Sequence, residues 1–158
     1  MYRATISMDT TRVTDLEIEA PDPSNPGLAS GDLNSNGGTM GGAPVGDTIT
    51  GSVLSDGTIS FGGSALHTLS ISSAYTQSSN GTLSMRLDVS AASDRLTVGG
   101  AATLGGTLTL SALHSLSAAS WTIITYASVS GNFASFNWPD NGTWLGQALA
   151  AGHKVTKS

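Results

Sequence analysis

The sequence predicts an all-β protein built from short strands laid down in layers. Three observations carry that expectation. Apolar and polar residues alternate with period 2 in many short windows, the mark of half-buried strands. Gly and Asn turn signals separate those windows at close intervals. Charged residues make up 11% of the 158, against roughly 25% in an ordinary globular domain. Ser and Thr together number 43 and Gly adds 20, so the polar surface is mostly hydroxyl and backbone. Such a surface suits secreted or cell-surface β proteins.

Taken in order, residues 1–20 read as an N-terminal strand segment. Ala4, Ile6 and Met8 share one face and, after a break, Leu16, Ile18 and Ala20 share one face. Residues 21–46 hold four of the five prolines and many glycines. They read as a linker, because Pro lacks a ladder donor and Gly resists ordering. Residues 47–142 form the body, with strands expected at 48–53, 58–61, 66–72, 81–89, 95–98, 102–104, 107–110 and 121–126. Leu83, Met85, Leu87 and Val89 fall on one face, and Ser84, Arg86 and Asp88 on the other. Turn signals stand at Asp56-Gly57, Asn80-Gly81, Gly99-Gly100 and Gly105-Gly106. Residues 143–158 read as a C-terminal tail, in which TWLGQALAAG (143–152) forms a short helix or coil.

The body contains an internal repeat. SALHTLS at 64–70 returns as SALHSLS at 111–117, and DTIT at 47–50 matches DRLT at 94–97, both 47 residues apart. GTISF at 57–61 resembles GTLTL at 106–110, 49 residues on. The window DRLTVGGAATLGGTLTL (94–110) follows from the same design. Each short strand contributes two inward aliphatics, and each Gly pair permits a corner that a Cβ would obstruct.

Several function classes recede on composition. The net charge is −5, and only Arg86 and Arg95 are cationic between Arg12 and Lys154, so no basic stripe can meet a phosphate backbone. With no cysteine, disulfides and thiolate metal sites are excluded. No apolar run approaches the roughly 20 residues of a membrane span. The N-terminus alternates and carries acids where a signal peptide has its apolar stretch, so the chain is expected to be a segment, a mature form or a product exported in another way.

The chemical motifs point to turns more than to catalysis. Asp32, Asn34 and Asn36, followed by Gly37, imitate the start of a calcium loop, but the twelfth position is Ala43 and the bidentate carboxylate is missing. An Asn/Gly turn is the simpler reading, and no metal or cofactor is expected. His67 and His114 occupy equivalent repeat positions and read as outward polar residues; His153 reads as solvated in the tail. No G-x-S-x-G elbow occurs. Asp88 and Asp94 are the carboxylates to weigh for glycoside hydrolysis. Asp94, ahead of Arg95 at a strand start, reads instead as an acceptor for turn amides.

YTQSSNGTLSMRLDV (75–89), DRLTVGGAATLGGTLTL (94–110) and WTIITYASVSGNFASF (121–136) together resemble the C-terminal part of passenger regions carrying autotransporter-associated β-strand repeats. The shared cues are Tyr75-x-Gln77, Gly81-x-Leu83, Asp94-x-Leu96-x-Val98, Ala102-x-Leu104-Gly105-Gly106-x-Leu108, Ile123-Ile124-x-Tyr126 and Ser130-Gly131-x-Phe133, within residues 65–138. The resemblance implies a short right-handed parallel β-helix, or its closing rungs, displayed outside a bacterial cell and without catalysis. The chain has no membrane β-barrel after residue 138 and no long run of repeats before 65, so it reads as a building block.

A stack of layers must close its ends, since the last layer exposes unpaired amides and an open core. Six of the nine aromatics, Trp121, Tyr126, Phe133, Phe136, Trp138 and Trp144, lie between 121 and 144. They read as a cap; contact with the next subunit and stacking on sugar are the alternatives. Ile6, Met8, Leu16 and Ile18 would line a strand that adds to an exposed edge of its own domain or of a neighbour. The functional expectation is a non-catalytic extracellular structural or surface-display protein, a homo-oligomer or fibre. An adhesin or carbohydrate-binding module with a polysaccharide partner is the alternative, and a polysaccharide-degrading enzyme the second alternative.

Overall fold

The computed structural model describes residues 33–35, 39–40, 47–49, 51–61 and 65–158. Within them the chain is all-β. The strands are β1 (Leu33–Ser35), β2 (Thr39–Met40), β3 (Asp47–Ile49), β4 (Val53–Ser55), β5 (Thr58–Ser60), β6 (Thr68–Ile71), β7 (Tyr75–Gln77) and β8 (Thr82–Leu87). After a 3-10 turn at Val89–Ala91 come β9 (Arg95–Val98), β10 (Ala101–Leu104), β11 (Thr107–Ala112), β12 (Ala119–Thr125), β13 (Ser128–Gly131) and β14 (Ser135–Asn137). The last two are β15 (Trp144–Leu149) and β16 (Gly152–Lys157).

These strands form three sheets. The first runs β1-β4-β7-β10-β13, the second β2-β5-β8-β11-β14, and the third β3-β6-β9-β12-β16-β15. Each step along the chain passes to another sheet, and every third strand returns to pair in parallel with its predecessor. Parallel neighbours cannot be joined by a tight hairpin. Here the strands of the other two sheets supply the crossover. Among the described strands the final hairpin differs: β16 pairs antiparallel with both β12 and β15.

Registered pairing turns the alternation into columns of side chains. Val53, Tyr75, Ala102 and Val129 stand in line in the first sheet. Ile59, Leu83, Leu108 and Phe136 do so in the second, and Leu69, Leu96, Ile124 and His153 in the third. The inward residues merge into one core joining all three sheets. Each aliphatic side chain taken fully out of water there contributes about 1.5–3 kcal/mol. The outward rows are Ser- and Thr-rich, as in Thr58, Thr82 and Thr107. Such rows satisfy solvent without charge, which accounts for the composition.

Two polar staples tie successive layers together inside this core. The Gln77 amide donates to the carbonyls of Gly81, Gly105 and Thr107 at 3.1, 2.8 and 3.1 Å, while its Oε1 accepts from the Tyr75 hydroxyl at 2.7 Å. Asp94 is fully buried. Its Oδ1 accepts from the His67 backbone N–H and Arg86 Nη2, and its Oδ2 from the backbone N–H and Nε of Arg86, all at 2.8 Å. The donors expected for Asp94 are turn amides at its own strand start; its backbone donors are instead Arg86, within β8, and His67, 27 residues away, and an ion pair is added. Arg86, expected on the outward face of β8, is buried to serve it.

The glycine corners are required by close approach. Gly106 lies at φ +61°, and a Cβ there would sit 2.1 Å from Gly81 O and 2.7 Å from Ser78 O. Gly106→Ala is expected to lower stability by more than the about 1–2 kcal/mol of a left-handed backbone alone, read from urea unfolding. An unchanged midpoint would contradict the register of β8 and β11.

Several expectations require correction. The 21–46 stretch read as a linker contains β1 and β2, which pair with β4 and β5. The strand expected at 48–53 is split into β3 and β4 by Gly51, at φ +121°. Val89 leaves the β8 row and is exposed in the 3-10 turn. The helix or coil at 143–152 is strand β15 and the turn into β16, so the tail is a hairpin. The 49-residue match is a true column, since Thr58 pairs with Thr82 and Thr82 with Thr107. The 47-residue matches are out of register: Asp47 pairs with Leu69 and Leu69 with Leu96, so Asp47 lines up with Leu96 and not with Asp94.

Candidate functional site

The aromatic cluster at the C-terminal end of the column is the candidate site. It begins in β12, where Trp121 faces the core and donates its indole N–H to Asp88 O at 2.9 Å. Alternation in β15 sends Trp144, Gly146 and Ala148 inward and leaves Leu145, Gln147 and Leu149 outside. Trp144 lies 5.7 Å from Trp121, centroid to centroid, and 5.6 Å from Trp138 at 8° between planes. Trp138 stacks in turn on Phe136 at 5.0 Å and 8°. Phe136 meets Phe133 edge-on at 6.0 Å. The rings thus run continuously from β12 to β14, in offset and edge-to-face arrangements.

Glycine lets the hairpin close on this row: a Cβ at Gly146 would lie 2.5 Å from Phe136 Cε1. The Tyr126 hydroxyl anchors the hairpin turn by donating to Leu149 O at 2.7 Å. A polar clasp holds the rim. Asp140 accepts from the Trp144 indole and the Gly142 N–H at 2.8 Å each, and pairs with Lys157. The Lys157 ammonium also donates to Leu116 O at 2.9 Å and sits 5.5 Å over the Trp144 ring. Lys157 above all, then the Trp144 and Gly142 donors, hold the Asp140 carboxyl at about 2.

His153 lies at the heart of this aromatic cluster. It is 0% exposed, not solvated as the sequence suggested. Its ring lies 5.0 Å from Phe133, edge-on, and 6.1 Å from Phe136. Neither ring nitrogen has a partner, and burial depresses its pKa to about 4. The signal for this was present: His153 and Val155 alternate with Lys154 and Thr156, and both inward members are buried.

Of the candidate residues, Trp121, Phe133, Phe136, Trp138 and Trp144 come together in this row, and Tyr126 reaches the hairpin through Leu149 O. Ile6, Met8, Leu16 and Ile18 lie outside the described residues, as do Asp32 and Asn36 of the calcium-like motif; Asn34 falls within β1. His67 and His114 are not equivalent. His67 precedes β6, whereas His114 is exposed and contacts Asp88 at 2.6 Å, which lowers the Asp88 pKa. The two carboxylates weighed for hydrolysis have different surroundings. Asp94 is sealed against Arg86, and Asp88 binds the Val89 N–H and His114 at the surface. Beside it, a pocket of about 270 Å³ is lined by the Val89–Ala91 turn, residues 117–119 and Trp121. Among the described residues no cluster of His, Cys, Asp and Glu could hold a metal ion, and no helix is long and apolar enough to cross a membrane. No family model, no curated protein and no solved structure matches the chain.

Proposed function

We propose that the three sheets are the walls of a short right-handed parallel β-helix, and that the chain is a non-catalytic structural or surface-display module of a bacterial cell exterior. Copies assemble into a fibre or larger surface structure through strand addition and end-to-end stacking. One observation carries this reading: strand order advances by three, in register, around a continuous aliphatic core. Among the described residues the outward rows of this column are rich in Ser and Thr, and its resistance to unfolding comes from ladders and stacked side chains. Helices of this kind are right-handed for the same steric reason as other parallel crossovers. The resemblance to autotransporter-associated repeat passengers supports the extracellular setting.

Electron micrographs of the purified chain are expected to contain ordered multimers, and deletion of residues 1–20 is expected to leave single columns. Normal assembly after that deletion would reject strand addition. A carbohydrate-binding module is the second reading, favoured by the half-buried Trp138 and Trp144. Both indoles already stack on other rings, which leaves less free ring face for a sugar. Retention on a polysaccharide column that is lost in Trp138→Ala would support it over the structural reading.

A further inference from the structure

We infer that the outer edge of β15 is the seat for residues 13–20 of a second copy of this chain, an inference that rests on the assembly reading above. Among the described residues no strand pairs with that edge of β15, although its other edge is fully laddered to β16. An unpaired edge of six residues is a template for another strand. The edges of β13 and β14 are shorter, at four and three residues.

The occupant is indicated by pattern, charge and reach. Residues 13–20, VTDLEIEA, alternate Leu16, Ile18 and Ala20 against Asp15, Glu17 and Glu19. Laid along β15 with the apolar row inward, the segment would continue the row of Trp144, Gly146 and Ala148, which already meets Phe136 and the half-buried Trp138. Its acids would face solvent on the side of Lys154. The segment carries three acids and no base, whereas residues 144–158 carry Lys154 and Lys157 and no Asp or Glu. Opposite charge steers such encounters and fixes their orientation.

The second copy is preferred over the segment's own column because of where the chain enters. β1 lies at the far end of the first sheet from β13, four strand spacings of about 4.8 Å each. The cap is at the β13 end. Residues 21–32, which contain Pro21, Pro23 and Pro26, are twelve in number and span at most about 40 Å. When the β1 end of one copy follows the capped end of another, the segment arrives at β15 directly. In its own column it must double back along the full stack.

The absence of cysteine makes a clean cross-linking test. Residues opposite one another on adjacent strands have Cα atoms about 4.5–5.5 Å apart, within disulfide range. Two full-length variants, Glu17→Cys and Gln147→Cys, each with a single thiol, are mixed, assembled and oxidised. The mixed disulfide dimer is expected at least about tenfold above a Glu17→Cys and Thr76→Cys control pair. Neighbouring Cys positions, Ile18 and Ala148 included, establish register. If a chain carrying both Glu17→Cys and Gln147→Cys instead closes within one copy and the mixed dimer stays at the control level, the segment belongs to its own column and the inference is overturned. If multimers form and lose order on deletion of residues 1–20, yet no 17–147 link appears, strand addition survives and β15 is not its seat.

Discussion

Asp94→Ala is expected to destabilise the protein by about 3–5 kcal/mol, because it strands the Arg86 guanidinium in the interior without its counter-charge. The side chains of Asp94 and Arg86 are 0% and 10% exposed, so water cannot replace the lost carboxylate at little cost. Four donors lose their acceptor at once: Nε, Nη2 and the backbone N–H of Arg86, and the backbone N–H of His67. Arg86 Nη2 keeps its 2.6 Å bond to Ala65 O, a neutral acceptor that does not replace the carboxylate charge. The staple also joins β8, β9 and the approach to β6, so its loss loosens the second and third sheets together. Urea unfolding reads the effect as a lowered midpoint. The double variant Asp94→Ala with Arg86→Met separates charge from packing. It removes the stranded cation and is expected to recover about half of the loss, the remainder reflecting the two backbone N–H groups left unmet. A single variant within about 1 kcal/mol of the parent would mean the pair is solvated.

Much of the column was legible because the core obeys period 2. Leu83, Met85 and Leu87, Leu96 and Val98, and Leu108 and Leu110 are inward in sequence pattern and buried in the fold. The glycine corners were legible too, because close approach narrows the choice of residue; the partners of Asp94 were not, since its amides belong to β8 and to the approach to β6 and not to its own turn. What the pattern left hidden was the length of each circuit. The layers differ in length, so Val53 and Tyr75 pair 22 residues apart while Ala102 and Val129 pair 27 apart. Similar words such as SALHTLS and SALHSLS then fall into different structural places. β7 escaped notice because Tyr75 and Gln77 are inward by virtue of a buried hydrogen bond, which hydrophobic alternation does not register. β15 escaped because Leu and Ala favour helix locally, and pairing with β16 over Phe136 overrides that preference.

Acidification is expected to weaken the cap through His153, and the sign follows from where the proton is welcome. The unfolded imidazole titrates near 6.5 and the folded one at about 4, since burial among Phe133, Phe136 and Ile124 disfavours the cation. Above pH 6.5 neither state holds the proton and stability is complete. Between pH 6.5 and 4 the unfolded state binds it first, and stability falls by up to about 1.4 kcal/mol per unit, or about 3 kcal/mol by pH 4. Groups on every neighbouring element leave that slope intact. On β16 the residue next to His153 is Lys154 and Lys157 lies over Trp144, and neither supplies the negative charge that would hold an imidazolium. Asp140 is committed to Lys157, and with its pKa held at about 2 its own contribution is lost only below the ordinary carboxyl range. The Tyr126 hydroxyl donates to Leu149 O, and its titration is pushed up by burial, away from this window. His153→Leu isolates the effect. Leucine continues the Leu69, Leu96 and Ile124 column and removes two nitrogens that have no partner. The variant is expected to match or exceed the parent at pH 7.5, and to pull ahead of it by about 3 kcal/mol at pH 4 in urea unfolding. Identical pH dependence of parent and variant would show that water or a polar group reaches the ring, and that the cap is not dry.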